Sequence, residues 1–206
     1  MKNVRSGVSF TDTTDSTQAG RTAAESAMSN ACVDRSDFTL AFCGGNHDPF
    51  HFLQGVRDVI GEGPLVGGTA IGVITSDRAG YGGYEAGVAV VSSNRVRFDP
   101  VSVGELKESE EMAGERLGQM FASKRADDTR AALLFYDSVK EPNPLRVNLA
   151  TQLIHGVRNG LQGSDLPVLG GGMIKDYQWS GSHVFDGSAA MTQHAVGVLI
   201  SGDCAV

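Results

Sequence analysis

The chain is written twice. Asp15-Ser16-Thr17-Gln18-Ala19-Gly20 aligns with Ser109-Glu110-Glu111-Met112-Ala113-Gly114, and Leu40-Ala41-Phe42 with Leu133-Leu134-Phe135. Gly55-Val56-Arg57 aligns with Gly156-Val157-Arg158, and Pro64-Leu65-Val66-Gly67-Gly68 with Pro167-Val168-Leu169-Gly170-Gly171. Val88-Ala89-Val90-Val91-Ser92 completes the series on Gly197-Val198-Leu199-Ile200-Ser201. The offset grows from 94 residues (Asp15 to Ser109) to 109 (Val88 to Gly197), as loop insertions would produce. Each match is short, but their common order is the signature of a duplicated supersecondary unit.

Each copy reads strand, helix, strand, helix, strand, strand. In copy one the stripe Ala19, Ala23, Ala27, Ala31 recurs at helical period behind a cap at Asp15 or Ser16, predicting a helix over 15–32. Its counterpart begins at Ser109, with Glu110 and Glu111 in the first turn where the helix dipole favours anions. Phe38 to Cys43 and Ala131 to Tyr136 are short apolar runs of the buried-strand type. Asp48 with Pro49 opens a second helix over 48–61. The stripe Leu149, Leu153, Val157, Leu161 predicts its partner over 145–162. Strands ending in Gly67-Gly68 and in Gly170-Gly171-Gly172 follow, and hairpin-like strands over 86–92 and 194–201 close the copies. The expected fold is α/β: two pseudo-symmetric β-α-β-α-β-β repeats, about 1–100 and 101–206, with mixed sheets flanked by helices. No linker separates them, so one pseudo-twofold domain is expected. Stacked and edge-joined sheets both remain open.

Composition narrows the function classes. With 17 Lys and Arg against 24 Asp and Glu, the net charge is −7, which argues against nucleic acid and anionic membrane as partners. No apolar run reaches the length of a membrane span, and the segment from Met1 to Phe10 has no signal-peptide core. Cys32, Cys43 and Cys204 are scattered and odd in number, as reduced thiols of a cytoplasmic protein would be.

Gly7-Val8-Ser9, Ala19-Gly20, the run from Pro64-Leu65-Val66-Gly67-Gly68-Thr69 to Ile74, and Gly80-Tyr81-Gly82-Gly83-Tyr84 together resemble the N-terminal FIST domain. The name stands for F-box and intracellular signal transduction proteins. Asn46-His47-Asp48-Pro49 and Leu169-Gly170-Gly171-Gly172 fit the same pattern. The resemblance implies a bacterial or archaeal sensory input domain that binds a small ligand such as an amino acid. It implies signalling partners such as histidine kinases, methyl-accepting receptors or cyclases, and some members resemble haem-bearing nitric oxide sensors. The family pattern places a C-terminal FIST domain next. The sequence ends at Val206 without it, which implies a fragment or a separate output partner.

The residues themselves favour binding over catalysis. Gly-rich turns at Gly67-Gly68 and Gly170-Gly171-Gly172 would let a ligand approach backbone amides in a cleft shared by the repeats. Neither is a phosphate loop, since Lys175 stands at the wrong spacing, and no dinucleotide fingerprint exists. Tyr81, Tyr84 and Glu85 in one copy, and Asp176-Tyr177-Gln178-Trp179 in the other, supply aromatic faces for a small organic ligand. The ligand set is therefore Cys43, Gly44, Gly67, Gly68, Thr69, Tyr81, Tyr84, Gly170, Gly171, Gly172 and Trp179. Arg57 and Arg158 occupy equivalent helix positions and could clamp a carboxylate, though surface pairing is the commoner use. Cys43, His47, Asp48 and His51 carry metal-type ligands, yet Asp48 serves better as a helix cap, so no metal is expected. No cofactor is expected either; were haem to bind, its axial ligand would be His47, His155, His183 or His194. His183 has Trp179 and Phe185 nearby in sequence. No nucleophile elbow or zinc-protease motif is present, so the expectation is a non-enzyme. The enzyme alternative would place Cys43 or Thr69 at its reaction centre.

Overall fold

The computed structural model describes residues 4–204. Met1–Asn3 of the expected leader-free start, and the last two residues of repeat two, lie outside the described residues.

Repeat one runs β1 (Val4–Thr11), α1 (Ser16–Ala31), β2 (Phe38–Gly44), α2 (Pro49–Ile60), β3 (Leu65–Ala70), a small hairpin of β4 (Val73–Ile74) and β5 (Ala79–Gly80), and β6 (Ala86–Ser93). Repeat two follows as β7 (Val96–Val103), α3 (Glu110–Lys124), β8 (Thr129–Asp137), a hairpin of β9 (Val139–Pro142) and β10 (Leu145–Val147), and α4 (Ala150–Gly160). It closes with β11 (Val168–Met173), a hairpin of β12 (Val184–Phe185) and β13 (Ala190–Met191), and β14 (Ala195–Gly202).

The repeats build the same sheet. In repeat one β1, β6, β2 and β3 lie in that order, antiparallel except for the parallel pair β2–β3. In repeat two β7, β14, β8 and β11 do likewise, with β8–β11 parallel. Strand register makes the correspondence residue by residue. Ala41 pairs with Gly67 and Val88, while Leu134 pairs with Gly170 and Gly197. Every match found in the sequence therefore falls on equivalent structure.

Side-chain alternation along the strands then decides the layering. Ala41, Cys43, Val88 and Val90 point outward and are buried under α1 and α2 with Ala23, Ala27, Phe52 and Val56. Ala132, Leu134 and Leu199 are buried under α3 and α4 with Leu117, Phe121 and Val157. The other faces, with Phe38, Val66 and Val184 from one sheet and Val196, Val198 and Met173 from the other, form a third core. Phe38 stacks on Phe98 at 4.4 Å and Phe42 meets Phe135 edge-on at 5.7 Å. The sheets thus stack, giving a helix–sheet–sheet–helix sandwich.

Two expectations are corrected. The strands at 86–93 and 195–202 are not hairpin partners of what precedes them; each is inserted centrally in its sheet, because the intervening hairpin loop carries the chain across the strands. The helix expected from Leu145 begins at Ala150, since Leu145–Val147 pairs with β9 and Leu149 is the cap, 44% exposed. The repeats differ in where their hairpins go. Hairpin β12–β13 of repeat two extends sheet one by pairing β12 with β3, whereas β4–β5 of repeat one pairs only with itself.

Candidate functional site

The C-terminal ends of β2, β3, β8 and β11 converge at one pole of the sandwich, where the backbone amide of Ile174 donates to the Thr69 carbonyl at 3.2 Å. Central parallel pairs ending beside oppositely running strands are where α/β folds gather their ligand sites.

Repeat two contributes a buried polar knot. Asp137, 1% exposed, accepts from the Val139 amide at 3.0 Å and from the Ser182 hydroxyl on one oxygen. Its other oxygen accepts from the Gln193 amide at 2.7 Å. Asn148 donates to the Asp137 carbonyl at 2.8 Å, and its own side-chain oxygen is buried without a partner. Repeat one contributes a latch. His47, 3% exposed, lies 2.9 Å through Nε2 from the Tyr84 carbonyl and 3.2 Å through Nδ1 from the Ser16 hydroxyl. A carbonyl only accepts, so Nε2 carries a proton toward Tyr84. Glu85 accepts from the amides of Gly82 at 2.6 Å and Gly83 at 2.7 Å. Burial raises its pKa, but those amides, its own amide and nearby His47 outweigh this and hold it below the usual range.

Between knot and latch stand two groups with nothing to bind. His183 is half-buried, its ring edge-on to Phe50 at 5.8 Å, and its Nδ1 is buried without a partner. Its main chain is fixed: the amide donates to Thr69 Oγ1 at 3.0 Å and the carbonyl accepts from the Thr69 amide at 3.0 Å. Burial depresses its pKa; Asp137 and Asp48 oppose this and Lys175 adds to it. Lys175, on the loop that its amide closes onto the Gly181 carbonyl at 3.0 Å, makes no side-chain hydrogen bond or ion pair among the described residues. A half-buried imidazole within electrostatic range of an unpaired ammonium can grip an anionic group and a second polar group together.

The sequence-derived ligand set is only partly gathered here. Thr69 anchors His183, Gly44 ends β2 at the pole and Gly172 lies one residue before the end of β11; a Cβ on Gly44 would lie 2.3 Å from the Gly83 carbonyl. Tyr84 offers its carbonyl to His47, and Tyr81 and Tyr84 are exposed. Trp179, 37% exposed, rides the Lys175 loop, where Asp176 Oδ1 accepts from the Gln178 and Ser180 amides. Cys43 instead points outward under α2, fully buried, and burial followed by Asp48 pushes its thiol pKa well up. Gly67, Gly68, Gly170, Gly171 and Gly172 lie inside strands rather than in turns. A Cβ on Gly67 would lie 1.8 Å from the Ala41 carbonyl, and one on Gly170 1.8 Å from that of Leu134, so neighbouring strands require these glycines. The cavity of about 160 Å³ beside Gly170–Gly172 is lined by repeat-two residues alone.

The sequence reading missed Asp137, Ser182, Asn148 and Gln193, and set Lys175 aside. Asp137 ends β8 and the others come from loops without periodicity, and only sheet stacking brings them together. Among the described residues no three His, Cys, Asp or Glu side chains stand close enough to hold a metal. Of the histidines weighed for haem, His47, His155 and His194 already use ring nitrogens on neighbours, and none of the four lines one of the cavities described.

A cyanuric acid hydrolase described as an innovation by structural concatenation is similar to 98% of this chain over 70% of its own, at 10% identity and TM-score 0.47. A cyanuric acid hydrolase from A. caulinodans matches at 11% identity and TM-score 0.44, over 98% and 72% of the two chains. A chorismatase matches at 10% identity and TM-score 0.44, over 99% and 56%. No curated protein matches the sequence. The FIST N domain family matches residues 37–206, from just before β2 through the whole of repeat two, and the chain belongs to that family.

Proposed function

We propose that the chain is a sensory input domain that binds a small anionic organic ligand, such as an amino acid or a related carboxylate metabolite, at the pole between the repeats. The observation that carries this reading is the pairing of an ion-free Lys175 with a His183 whose buried Nδ1 lacks a partner. The buried carboxylates around them, Asp137 and Glu85, are already saturated with donors. An unpaired cation in such surroundings is the group that a ligand carboxylate would satisfy. Lys175 would pair with the carboxylate, His183 would meet a second polar group, and Phe50 would cover the apolar part. Membership of a family associated with signal transduction supports binding without turnover and output through a separate protein, such as a histidine kinase or cyclase in the cytoplasm.

The test is a thermal-shift and calorimetric screen of amino acids, small carboxylates and nucleotides. One carboxylate class should raise the melting temperature in a saturable way. Lys175→Met should weaken that ligand about 10- to 100-fold, the range of a charge-assisted hydrogen bond, without changing the melt of the free protein. Absence of any shift, or full affinity in Lys175→Met, would overturn the reading.

A further inference from the structure

The two repeats are built alike, yet one strand edge is covered and its equivalent is bare. In repeat one, β12 pairs with β3 through Val184↔Gly68 and Phe185↔Gly67. Phe185 is fully buried beside Phe52, Val66 is fully buried, and Leu53 is 4% exposed. The hairpin turn is held by Arg57, whose Nε donates to the Gly187 carbonyl at 2.6 Å.

In repeat two each counterpart is open. The partner of β8 on the far side, β11, is the last strand of its sheet. Leu169, equivalent to Val66, is 52% exposed, and Ile154, equivalent to Leu53, is 37% exposed. The place that Phe185 fills in repeat one is the cavity of about 160 Å³ lined by Leu134, Tyr136, Leu153, Ile154 and Gly170. Arg158, equivalent to Arg57, is exposed and makes no hydrogen bond or ion pair among the described residues.

The chain also carries a matching hairpin that lies on its own sheet, with Val73 beside Gly87 and Arg78 over the Phe10 ring at 4.7 Å, but pairs with no sheet strand. β4 and β5 are two residues each around the four residues 75–78, as β12 and β13 are around 186–189. Ile74 occupies the position of Phe185 and is 69% exposed.

We propose that β11 accepts the β4–β5 hairpin of a second copy of this chain. The contact would repeat, between molecules, the interface that already joins β12–β13 to β3 within one. Ile74 of the second copy enters the cavity beside Ile154, its backbone pairs antiparallel to Gly170-Gly171, and Arg158 takes the Ser76 carbonyl. A contact using different surfaces on the two partners is head-to-tail, and strand addition to a free sheet edge is an established mode of association.

Light scattering across protein concentrations from about 1 to 500 µM tests this directly, at the low affinities expected of so small a contact. The mass should rise above that of one chain, and hydrogen exchange at the Leu169–Gly172 amides should slow in step. Ile74→Asp removes the donor and Ile154→Asp the acceptor; both residues are exposed, and unchanged melting curves would confirm folding. Each variant alone should weaken association at least about tenfold, as loss of a central apolar contact does. An equimolar mixture should form pairs and nothing larger, because only one intact interface remains. Arg158→Ala should weaken association with no effect on the fold. A single-chain mass throughout, with unchanged exchange, would overturn the proposal and leave β11 for a different partner. Association that survives Ile74→Asp but not Ile154→Asp would overturn the hairpin assignment in favour of β11 pairing with itself.

Discussion

At the residue scale, burial separates groups that look alike in sequence. Cys43 and Cys32 are both isolated thiols, but Cys43 is buried and Cys32 is exposed at the αL cap of α1. Thiolate is the reactive form, and Cys43 is held protonated by burial. A thiol reagent should therefore label Cys32 within minutes and Cys43 only after denaturation, which mass spectrometry of the labelled peptides would read. His183 and Glu85 give the pH response. The depressed His183 pKa means that the unfolded chain takes up a proton first as pH falls below about 6.5. Stability should therefore decline from there down to the folded value. Glu85 is also depressed, so its contribution is complete above its ordinary value of 4.5 and is lost as pH falls through the lower folded one. Urea midpoints should drop between pH 7 and 5 in the parent chain and less in His183→Phe. Glu85→Gln should cost about 1–3 kcal/mol at pH 7, since two amides lose a charged acceptor, with the difference closing as pH falls through the depressed folded value.

At the element scale, glycine sets how closely helices pair. A Cβ on Gly20 would lie 2.1 Å from the Phe52 carbonyl and one on Gly55 2.0 Å from that of Thr17. The equivalents Gly114 and Gly156 meet Leu153 and Glu111 in the same way, at 2.2 and 2.0 Å. These distances leave no room for a methyl group, so Gly156→Ala should cost about 1–3 kcal/mol by forcing α3 and α4 apart. Gly171→Ala is the matched control, because nothing lies within 4 Å of its Cβ position, and it should be nearly neutral by chemical denaturation. The paired motifs Ala19-Gly20 and Gly55-Val56 were visible in the sequence as repeats. Their role in helix contact was not, because it depends on which faces the sheet turns toward each other.

At the scale of the whole molecule, the third core and the borrowed hairpin couple the repeats. Phe38, Phe42 and Val184 of sheet one pack on Phe98, Phe135 and Val198 of sheet two. Neither repeat can keep its inner face dry without the other, so unfolding should be one cooperative transition. Fluorescence of Trp179 and far-ultraviolet dichroism should give coincident midpoints, and non-coincidence would show that the repeats unfold separately. The borrowed hairpin satisfies one strand edge internally and leaves the equivalent edge, β11, at the end of its sheet.

The sequence by itself determined the duplication, the order of elements within each copy, and the helix faces, because periodicity and caps are local properties that neighbouring residues enforce. Thr69, Gly44 and Gly172, singled out in the sequence, lie in the last residues of β3, β2 and β11. The tertiary structure alone decided that the sheets stack and that the diglycines serve strand contact. It also decided that Asp137, Lys175 and His183, distant in the chain and without spacing, come to share one pole. Those outcomes rest on which apolar faces bury each other and which backbone groups find partners, and no window of sequence contains both halves of such a contact.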